Sequence, residues 1–391
     1  MKIVQINTFS NKSTGTIMMN IHNRLLEEGH ESYVVWGRGR EASNEYEIYM
    51  NDKLGVYFHG IYTRLTDKTG FASEKSTRRL IKKLEKIKPD IIHLHNIHGY
   101  YINIELLFDY IKKNNIKIIW TLHDCWSFTG HCPHFELIGC EKWKNEGCHN
   151  CPQKNIYPKS LVDNSNWNFK KKKELFNGLN MTIVTPSEWL AKLVKQSFLK
   201  EYEVKVINNG IDTQVFKPRK SNFRKKYNLE NKKIILGVAS DWTKEKGFYD
   251  FIELSRVIDE DYRIVMVGLN DKQLKEISSN ILGIKRTENA IQLAEIYSAA
   301  DVYFNPTYAD NYPTTNLEAL ACGTPVITYN TGGSPESVKE NGGIVTDFDK
   351  FKKNYKHYLN ETYQINMICS NVDMLNNYCQ LYNLMINRME K

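Results

Sequence analysis

Short runs of apolar residues alternate with amphipathic stretches along this chain. Most runs are continuous in valine, isoleucine and leucine, which is typical of strands covered on both faces in a parallel sheet. Between them apolar residues recur every three or four positions, as in Ile17–Glu28, a helix that Gly29 closes as a C-cap. The pattern predicts strands at Lys2–Phe9, Ser32–Trp36, Asp90–His95, Ile116–Leu122 and Met181–Thr185 in the first half, and at Val204–Asn208, Lys233–Ala239, Tyr262–Gly268, Val302–Asn305, Pro325–Tyr329 and Gly343–Thr346 in the second.

Regular alternation of strand and helix predicts βαβ units and open parallel sheets. These strands are too many for one sheet, so we expect an α/β chain of two doubly wound, Rossmann-like domains. We place the first domain at residues 1–203 and the second at 204–365, with turn residues around Asn209-Gly210 marking the seam. Residues 366–391 are expected to form a helix that crosses back to the first domain.

Composition and charge set the expected environment. No apolar run in the 391 residues approaches the ~20 needed to cross a bilayer, and the first residues lack a secretory signal. We therefore expect a cytoplasmic protein. The net charge is +8, and basic residues gather in the amphipathic segment Thr77–Lys88 and in Lys170–Lys173. Two interpretations stay open: solvated helix faces over a core, or peripheral contact with an anionic membrane surface.

The window Asn305–Glu336 is the richest in candidate chemistry. It predicts a strand, a polar loop containing Asp310, and a helix that Gly323 ends. Ligands of open α/β sheets bind beyond the carboxyl ends of strands, where loops lead into helices. The first N–H groups of that helix, at Thr314, Thr315, Asn316 and Leu317, are a natural diphosphate seat. The same residues also fit a capping box, Thr315-x-x-Glu318, and ordinary turn chemistry.

A longer motif favours the functional interpretation. Asp310-x7-Glu318, continued by Ala319-Leu320-Ala321-Cys322-Gly323-Thr324-Pro325-Val326-Ile327, resembles the E-x7-E signature of retaining glycosyltransferases of glycosyltransferase family 4. Matching features elsewhere are Gly15 in the first β–α loop, Asp90-Ile-Ile-His93-Leu-His95-Asn96 and His123-Asp124 at strand ends, Asn209-Gly210-Ile211-Asp212, and Lys246-Gly247. The chain looks most similar to bacterial enzymes that build capsule, exopolysaccharide or colanic-acid-type repeat units.

The resemblance implies a GT-B fold, in which the two domains face a cleft, and a hexosyltransferase that uses a UDP-, GDP- or other nucleotide sugar. It implies transfer with retention, without a catalytic metal, to a saccharide or polyprenyl-linked acceptor. By the same resemblance Glu318 is the ribose ligand, Asp310 the hexose ligand, Lys246 a diphosphate ligand, and His123 the histidine facing the reacting sugar; Gly15 lets the first loop approach the phosphates.

Two departures from the family pattern concern the donor. The first acidic position is Asp310 where most members carry glutamate, so the hexose contact is one methylene shorter. The arginine usual before the Lys-Gly pair is absent, which leaves Lys246 as a single cation unless Lys244 or Arg286 assists.

Five of the eight cysteines lie between Cys125 and Cys151. The spacing Cys132-x7-Cys140-x7-Cys148-x2-Cys151 suits a structural four-thiolate zinc site in an insertion at residues 125–152. An iron–sulfur cluster, free thiols or a disulfide are the other options. Because the insertion follows His123, we expect Asp124 and Trp126 on the acceptor side, with Trp126, Phe128, Phe135 and Trp143 as a platform for a sugar or polyprenyl carrier.

Two other classes of protein are open to this composition. A nucleotide-sugar epimerase shares the two-domain plan, and a zinc-stabilised nucleic-acid-binding protein would use the cysteines and basic runs. Neither accounts for the Asn305–Glu336 window, so we expect no nucleic-acid partner.

Overall fold

A computed structural model describes residues 1–50, 52–339, 341–366 and 369–387. The chain divides into two compact units. The first comprises Met1–Ile207 together with the chain from Leu375 onward, and the second is Asn208–Met374. Within the described residues no helix has both the length and the apolar character needed to span a membrane.

The first unit is an open sheet of seven strands with helices between them. The strands are β1 (Lys2–Phe9), β2 (Glu31–Arg38), β3 (Glu47–Tyr49), β4 (Ile91–Leu94), β5 (Lys117–Thr121), β6 (Met181–Thr185) and β7 (Glu203–Val206). The helices are α1 (Ser13–Glu27), α2 (Lys53–Thr66), α3 (Glu74–Ile87), α4 (Ile104–Lys113), α5 (Ser165–Phe176) and α6 (Glu188–Gln196). The sheet order is β3-β2-β1-β4-β5-β6-β7, and every pairing is parallel. Central strand residues such as Val4, Ile92 and Ile118 are fully buried, as the apolar runs predict.

The second unit repeats this plan with six parallel strands. They are β8 (Lys233–Val238), β9 (Tyr262–Val267), β10 (Ile281–Ile284), β11 (Val302–Asn305), β12 (Val326–Tyr329) and β13 (Gly343–Thr346). The helices are α7 (Phe223–Lys226), α8 (Phe248–Leu254), α9 (Asp271–Glu276), α10 (Ala290–Ala299), α11 (Thr314–Ala321) and α12 (Phe348–Asn360). The order is β10-β9-β8-β11-β12-β13. Successive strands are therefore added in one direction from β8 to β10 and in the other from β11 to β13, and open α/β sheets bind ligands at this switch in strand order.

Two features differ from the sequence-based expectation. The strand expected at Val204–Asn208 in the second domain is β7, which pairs with β6 through Thr182 and Glu203 and so extends the first sheet. The division therefore falls after Ile207 and not after residue 203. Strands β3 and β10 were not predicted, because both are short and neither begins a long apolar run.

The last helix, α13 (Asn371–Asn387), contributes to the first unit from Leu375 onward. Tyr378 and Tyr382 are buried beneath the first sheet's carboxyl edge. The Tyr382 hydroxyl lies 2.6 Å from Nδ1 of His93, and the Tyr378 hydroxyl lies 3.0 Å from Oγ1 of Thr121. His93 is thus a hydrogen-bonded core residue between strand and helix. Part of the range expected for this helix, at residues 367–368 and 388–391, lies outside the described residues.

Candidate functional site

The loops at the carboxyl edge of the second sheet bring two predicted donor ligands together. Lys246 precedes α8 and Asp310 lies between β11 and α11, 64 positions further along the chain, yet Nζ of Lys246 is 2.5 Å from Oδ2 of Asp310. Both side chains are partly exposed, at 37% and 19%. A cation and an acid therefore meet beside the N-terminus of α11, at the sheet edge that binds ligands in this architecture.

Two glycines make this contact possible. Gly247 has a φ of +73°, and a Cβ there would lie 2.4 Å from Pro306 in the loop after β11. Gly332 has a φ of +60°, and its Cβ would meet the Asp310 carbonyl oxygen at 2.0 Å. The Gly333 amide donates to the same carbonyl at 3.1 Å. The Asp310 loop is therefore held between the Lys246-Gly247 turn and the turn after β12.

Glu318 lies one turn inside α11 and is partly buried. The Tyr297 hydroxyl donates to its Oε2 at 3.1 Å. Burial raises the pKa of Glu318 to about 7, although the Tyr297 hydrogen bond lowers it. The buried Tyr303 hydroxyl is near enough to both Glu318 and Asp310 that the two carboxylates, after burial, help to raise its pKa. Both acidic side chains therefore lie within electrostatic range of one tyrosine.

The first turn of α11 divides its residues between site and core. Thr314 and Thr315 are partly exposed, and Thr315 hydrogen-bonds the Tyr303 hydroxyl. An α-helix leaves its first N–H groups without partners inside the helix, so these amides suit an anion. Asn316 and Leu317 are fully buried. The Asn316 side chain links Asn305, Ser334 and Ser337, and its amide donates to Pro313, so neither group is available to a donor.

At the carboxyl edge of the first sheet, His123 follows β5 and continues a chain of hydrogen bonds. Gln5 donates its amide to the Met18 carbonyl, so its oxygen faces Nε2 of His95 at 3.3 Å. His95 therefore carries its proton on Nε2 and accepts on Nδ1, which is 3.1 Å from Nε2 of His123. Burial lowers the pKa of His123 to about 4, so the ring is neutral.

It follows that His123 donates from Nε2 and presents Nδ1 as an acceptor. No described residue donates a hydrogen bond to Nδ1 of His123. The histidine can then accept a hydrogen bond from a sugar hydroxyl.

Asp124 is engaged by a second histidine. Nε2 of His98 is 2.9 Å from one carboxylate oxygen, and the Trp126 amide donates to the other at 2.9 Å. Burial alone would raise the pKa of Asp124, but the charge and hydrogen bond of His98 lower it to about 2. His98, Asp124 and His123 line a cavity of about 10 Å³, room for a single water molecule.

The aromatic platform predicted for the acceptor is a packed core in the structure. Trp126, Phe128, Phe135 and Trp143 are all buried. Trp126 also lines the small cavity, but Nζ of Lys172 lies 3.4 Å from its ring centre and donates to its carbonyl at 2.8 Å. One face of the Trp126 ring is thus covered by the Nζ group of Lys172 in α5, and the buried ring does not offer a stacking face.

Gly15 has a role inside its own loop. A Cβ there would lie 2.5 Å from the Phe9 carbonyl oxygen, so glycine lets the first turn of α1 pack onto the end of β1. This contact explains the glycine without a ligand. The phosphate approach implied by the resemblance remains a prediction.

The cysteine insertion contains free thiols. Cys132 and Cys151 are hydrogen-bonded, and the Cys148 sulfur accepts from the Gly130 amide at 3.0 Å. Within the described chain, which includes all of these cysteines, no three histidine, cysteine or acidic side chains are grouped to hold a metal ion. The four-thiolate zinc site that the spacing of Cys132, Cys140, Cys148 and Cys151 suggests remains a prediction.

Some site residues were not recognised in the sequence. Tyr297 and Tyr303 occupy ordinary apolar positions of a helix and a strand, so only their hydroxyl contacts reveal them. Gln5 is the one signal that was available, because a glutamine inside an apolar strand requires a buried partner.

Two parallel-sheet α/β units define the class, with Lys246 and Asp310 on the loops of the second and Glu318 in the helix that follows. These are the units of GT-B glycosyltransferases. Sequence comparison agrees. Residues 219–366 match glycosyl transferases group 1, and residues 14–215 match Glycosyltransferase Family 4. The chain belongs to Glycosyltransferase Family 4, and the family predicted from the Asp310–Glu318 motif is confirmed.

Individual relatives and solved structures include other glycosyltransferases. The glycosyl transferase WcaC of Escherichia coli (strain K12), named for colanic acid biosynthesis, is 26% identical over 88% of this chain and 86% of its own length. Among solved structures, sucrose-phosphate synthase of Thermosynechococcus elongatus has a TM-score of 0.70 at 12% identity, covering 99% of this chain and 100% of its own. Anabaena HepE in complex with UDP-glucose has a TM-score of 0.64 at 13% identity, covering 98% and 99%. The comparisons give no support to an epimerase or a nucleic-acid-binding protein.

Proposed function

We propose that this enzyme transfers a hexose from a nucleoside-diphosphate sugar, with retention, to a saccharide or polyprenyl-linked saccharide in surface polysaccharide biosynthesis. The observation that carries the proposal is the contact between Lys246 and Asp310 beside the first turn of α11. A cation, free helix amides and an acid within one loop cluster suit a diphosphate joined to a sugar. The relation to WcaC supports polysaccharide as the product class.

In this scheme Lys246 and the amides of Thr314 and Thr315 bind the diphosphate. Negative charge on the diphosphate increases as the bond to the sugar breaks, so these groups stabilise the transition state more than the ground state. Asp310 accepts from hexose hydroxyls once the diphosphate competes for Lys246. Glu318 accepts from the ribose hydroxyls, for which it must be ionised.

The acceptor side is assigned to the first unit. His123 offers Nδ1 to a hydroxyl of a reacting sugar, because its Nε2 proton is engaged by His95. Asp124, ionised beside His98, is the nearest carboxylate that can orient an acceptor hydroxyl. The scheme uses no catalytic metal, because Lys246 supplies the positive charge at the diphosphate.

The nucleotide and the place of action extend the proposal. HepE was solved with UDP and with UDP-glucose, so UDP-hexoses are the first donors to test. We place the enzyme in the cytoplasm, where nucleotide sugars are made, with peripheral contact to the inner face of the membrane. The support for membrane contact is α3, in which Leu80 and Leu84 are buried while its lysines and arginines are exposed.

The test has a binding arm and a turnover arm. Thermal unfolding is followed with a panel of nucleotide sugars, where a donor at ~100 times its Kd adds ~2.7 kcal/mol of stability. Turnover of the best donor is then compared for Lys246→Ala, Glu318→Ala and the control Lys272→Ala, an exposed lysine of the same unit whose side chain is 87% exposed. We expect the first two to lose about 10²–10³-fold in kcat/KM and the control to keep its rate. Equal rates for Lys246→Ala and Lys272→Ala would refute the donor assignment.

A further inference from the structure

Helix α2 exposes its apolar face and buries its polar face, which is the reverse of the usual arrangement in a soluble domain. Leu54, Tyr57 and Phe58 are 73%, 65% and 63% exposed, and Ile61 and Leu65 are also exposed. Their spacing puts them on one face. The opposite face carries polar residues that are buried: Thr63 is fully covered, and His59 donates to Ser73 at 2.8 Å and accepts from the Gly70 amide at 3.0 Å.

A second segment widens this exposed surface. The Leu161 amide donates to the Arg64 carbonyl at 2.8 Å, which sets the exposed Leu161 and Val162 against the end of α2. Of the seventeen exposed large hydrophobic side chains in the described chain, ten lie within residues 54–65 and 156–167. We call the exposed side chains of Leu54, Tyr57, Phe58, Ile61, Leu65, Leu161 and Val162 the α2 patch. Its area is on the order of 500 Å², a size that marks an interaction site on a soluble protein.

The surroundings of the α2 patch are strongly basic. Residues 53–88 contain ten lysines and arginines against three acidic residues, a net +7 in a chain whose total is +8. Arg79 of α3 lies 3.8 Å from Asp52 at the start of α2, so the exposed basic face of α3 adjoins the patch. The other basic run does not compete, because Lys172 is buried and Lys171 pairs with Glu105 at 2.8 Å.

We infer that the α2 patch seats the first unit on an anionic lipid bilayer, with the apolar side chains at the acyl boundary and the basic rim among the headgroups. An apolar stripe flanked by lysine and arginine is what an interfacial helix needs, and the excess positive charge selects anionic lipid over a neutral partner. This inference rests on the membrane contact proposed above and names the surface that makes it.

The position of the patch also indicates how the acceptor arrives. Behind α2, His59 packs on Tyr100 with ring centres 5.8 Å apart, and Tyr100 packs on Tyr157 at 5.9 Å. The Tyr157 hydroxyl lies 3.1 Å from His98, the partner of Asp124. Three aromatic contacts thus separate the patch from the candidate acceptor residues of the same unit. The favoured acceptor is therefore lipid-linked and reaches the site from the membrane.

The experiment is co-sedimentation of the full chain with vesicles of phosphatidylcholine alone or of equimolar phosphatidylcholine and phosphatidylglycerol. We expect binding to the anionic vesicles only, weakened by salt. Leu54→Ser/Phe58→Ser should reduce that binding at least tenfold, and Lys82→Gln/Lys83→Gln should weaken it and flatten its salt dependence. Val257→Ser/Ile291→Ser, which removes two exposed apolar side chains from the second unit, should bind as the unmodified chain does.

Each contrary result has a distinct meaning. If the serine pair on α2 binds like the unmodified chain, the surface assignment is overturned while membrane contact stands. If no vesicle binds, membrane contact fails as well, but donor binding and turnover with a soluble acceptor still test the glycosyl transfer separately. If the chain forms dimers that Leu54→Ser/Phe58→Ser dissociates, and does not bind vesicles, a second copy covers the patch and the inference is wrong. Thermal unfolding of both serine pairs verifies folding, since the replaced side chains are exposed.

Discussion

Donor affinity should depend on pH through Glu318. Burial raises the pKa of this carboxyl to about 7, and ribose hydroxyls need the ionised form as their acceptor. A donor that binds only the ionised form loses affinity as the pH falls below 7. About nine tenths of the sites are ionised at pH 8 and about one tenth at pH 6, so Kd should rise roughly tenfold between them.

The titratable groups named below, which lie near the two candidate sites, do not change their protonation between pH 6 and pH 8. Burial raises the pKa of Tyr297 and of Tyr303, so both stay neutral throughout. The pKa of His123 is lowered to about 4, below the range. A nucleotide sugar is the right ligand, because its diphosphate is esterified at both ends and lacks the ionisation near pH 6 of a terminal phosphate.

Isothermal titration between pH 5.5 and 8.5 measures the effect. Glu318→Gln should bind weakly and with no pH dependence. Tyr297→Phe should move the midpoint above pH 7, because the lost hydrogen bond favours the ionised carboxylate. A Kd that stays constant from pH 6 to 8, or the same pH profile in Glu318→Gln, would refute the assignment of Glu318 as the ribose ligand.

Three further predictions concern stability. Since the folded pKa of Glu318 lies above its unfolded value, the carboxyl favours folding below pH 4.5 and loses that contribution as the pH rises through 7; Glu318→Gln should therefore raise the melting temperature at pH 8, and an unchanged value would contradict the burial argument. Burial lowers the pKa of His59 to about 4 and of His93 to about 3, so stability should fall as the pH drops from 6.5 towards 4, by about 1.4 kcal/mol per unit for each histidine. Urea unfolding at pH 7 and pH 5 measures this loss of stability, and equal unfolding midpoints at the two pH values would contradict the prediction. Lys172→Met leaves the buried carbonyls of Trp126 and Thr129 without a donor and should cost about 2–4 kcal/mol, whereas the exposed Lys170→Met should cost under ~0.5; equal losses would be contrary to the cation's structural role.

The two sheets could be predicted because their central strands are buried on both faces and are therefore continuously apolar. Strand β7 shows the limit of that signal. Its residues predict a strand, but they do not show which sheet the strand joins. In the structure it pairs with β6, from which it is separated along the chain by α6. A pattern along the chain contains nothing about that pairing, so the strand was expected in the wrong unit.

The candidate donor site likewise has features that the sequence reveals and features that only the fold reveals. Asp310 and Glu318 lie on one loop and the helix it enters, so their spacing is visible in the sequence. The contact of Lys246 with Asp310 spans 64 positions, and only the fold produces it. Asn316 was predicted to bind the donor because it lies in the first turn of α11. The helix instead directs its side chain into a buried hydrogen-bond network.

Helix α2 explains why period alone does not establish burial. A stripe of apolar residues at helical spacing normally indicates the face turned to the core. Here the core side is the one that makes the specific hydrogen bonds of His59, and the apolar stripe faces outward. The helical period is the same in either case, because it records amphipathicity and not the medium on each side. A helix whose polar face is buried inside the protein must find its apolar surroundings outside it, and among the basic residues of α3 an anionic bilayer supplies them.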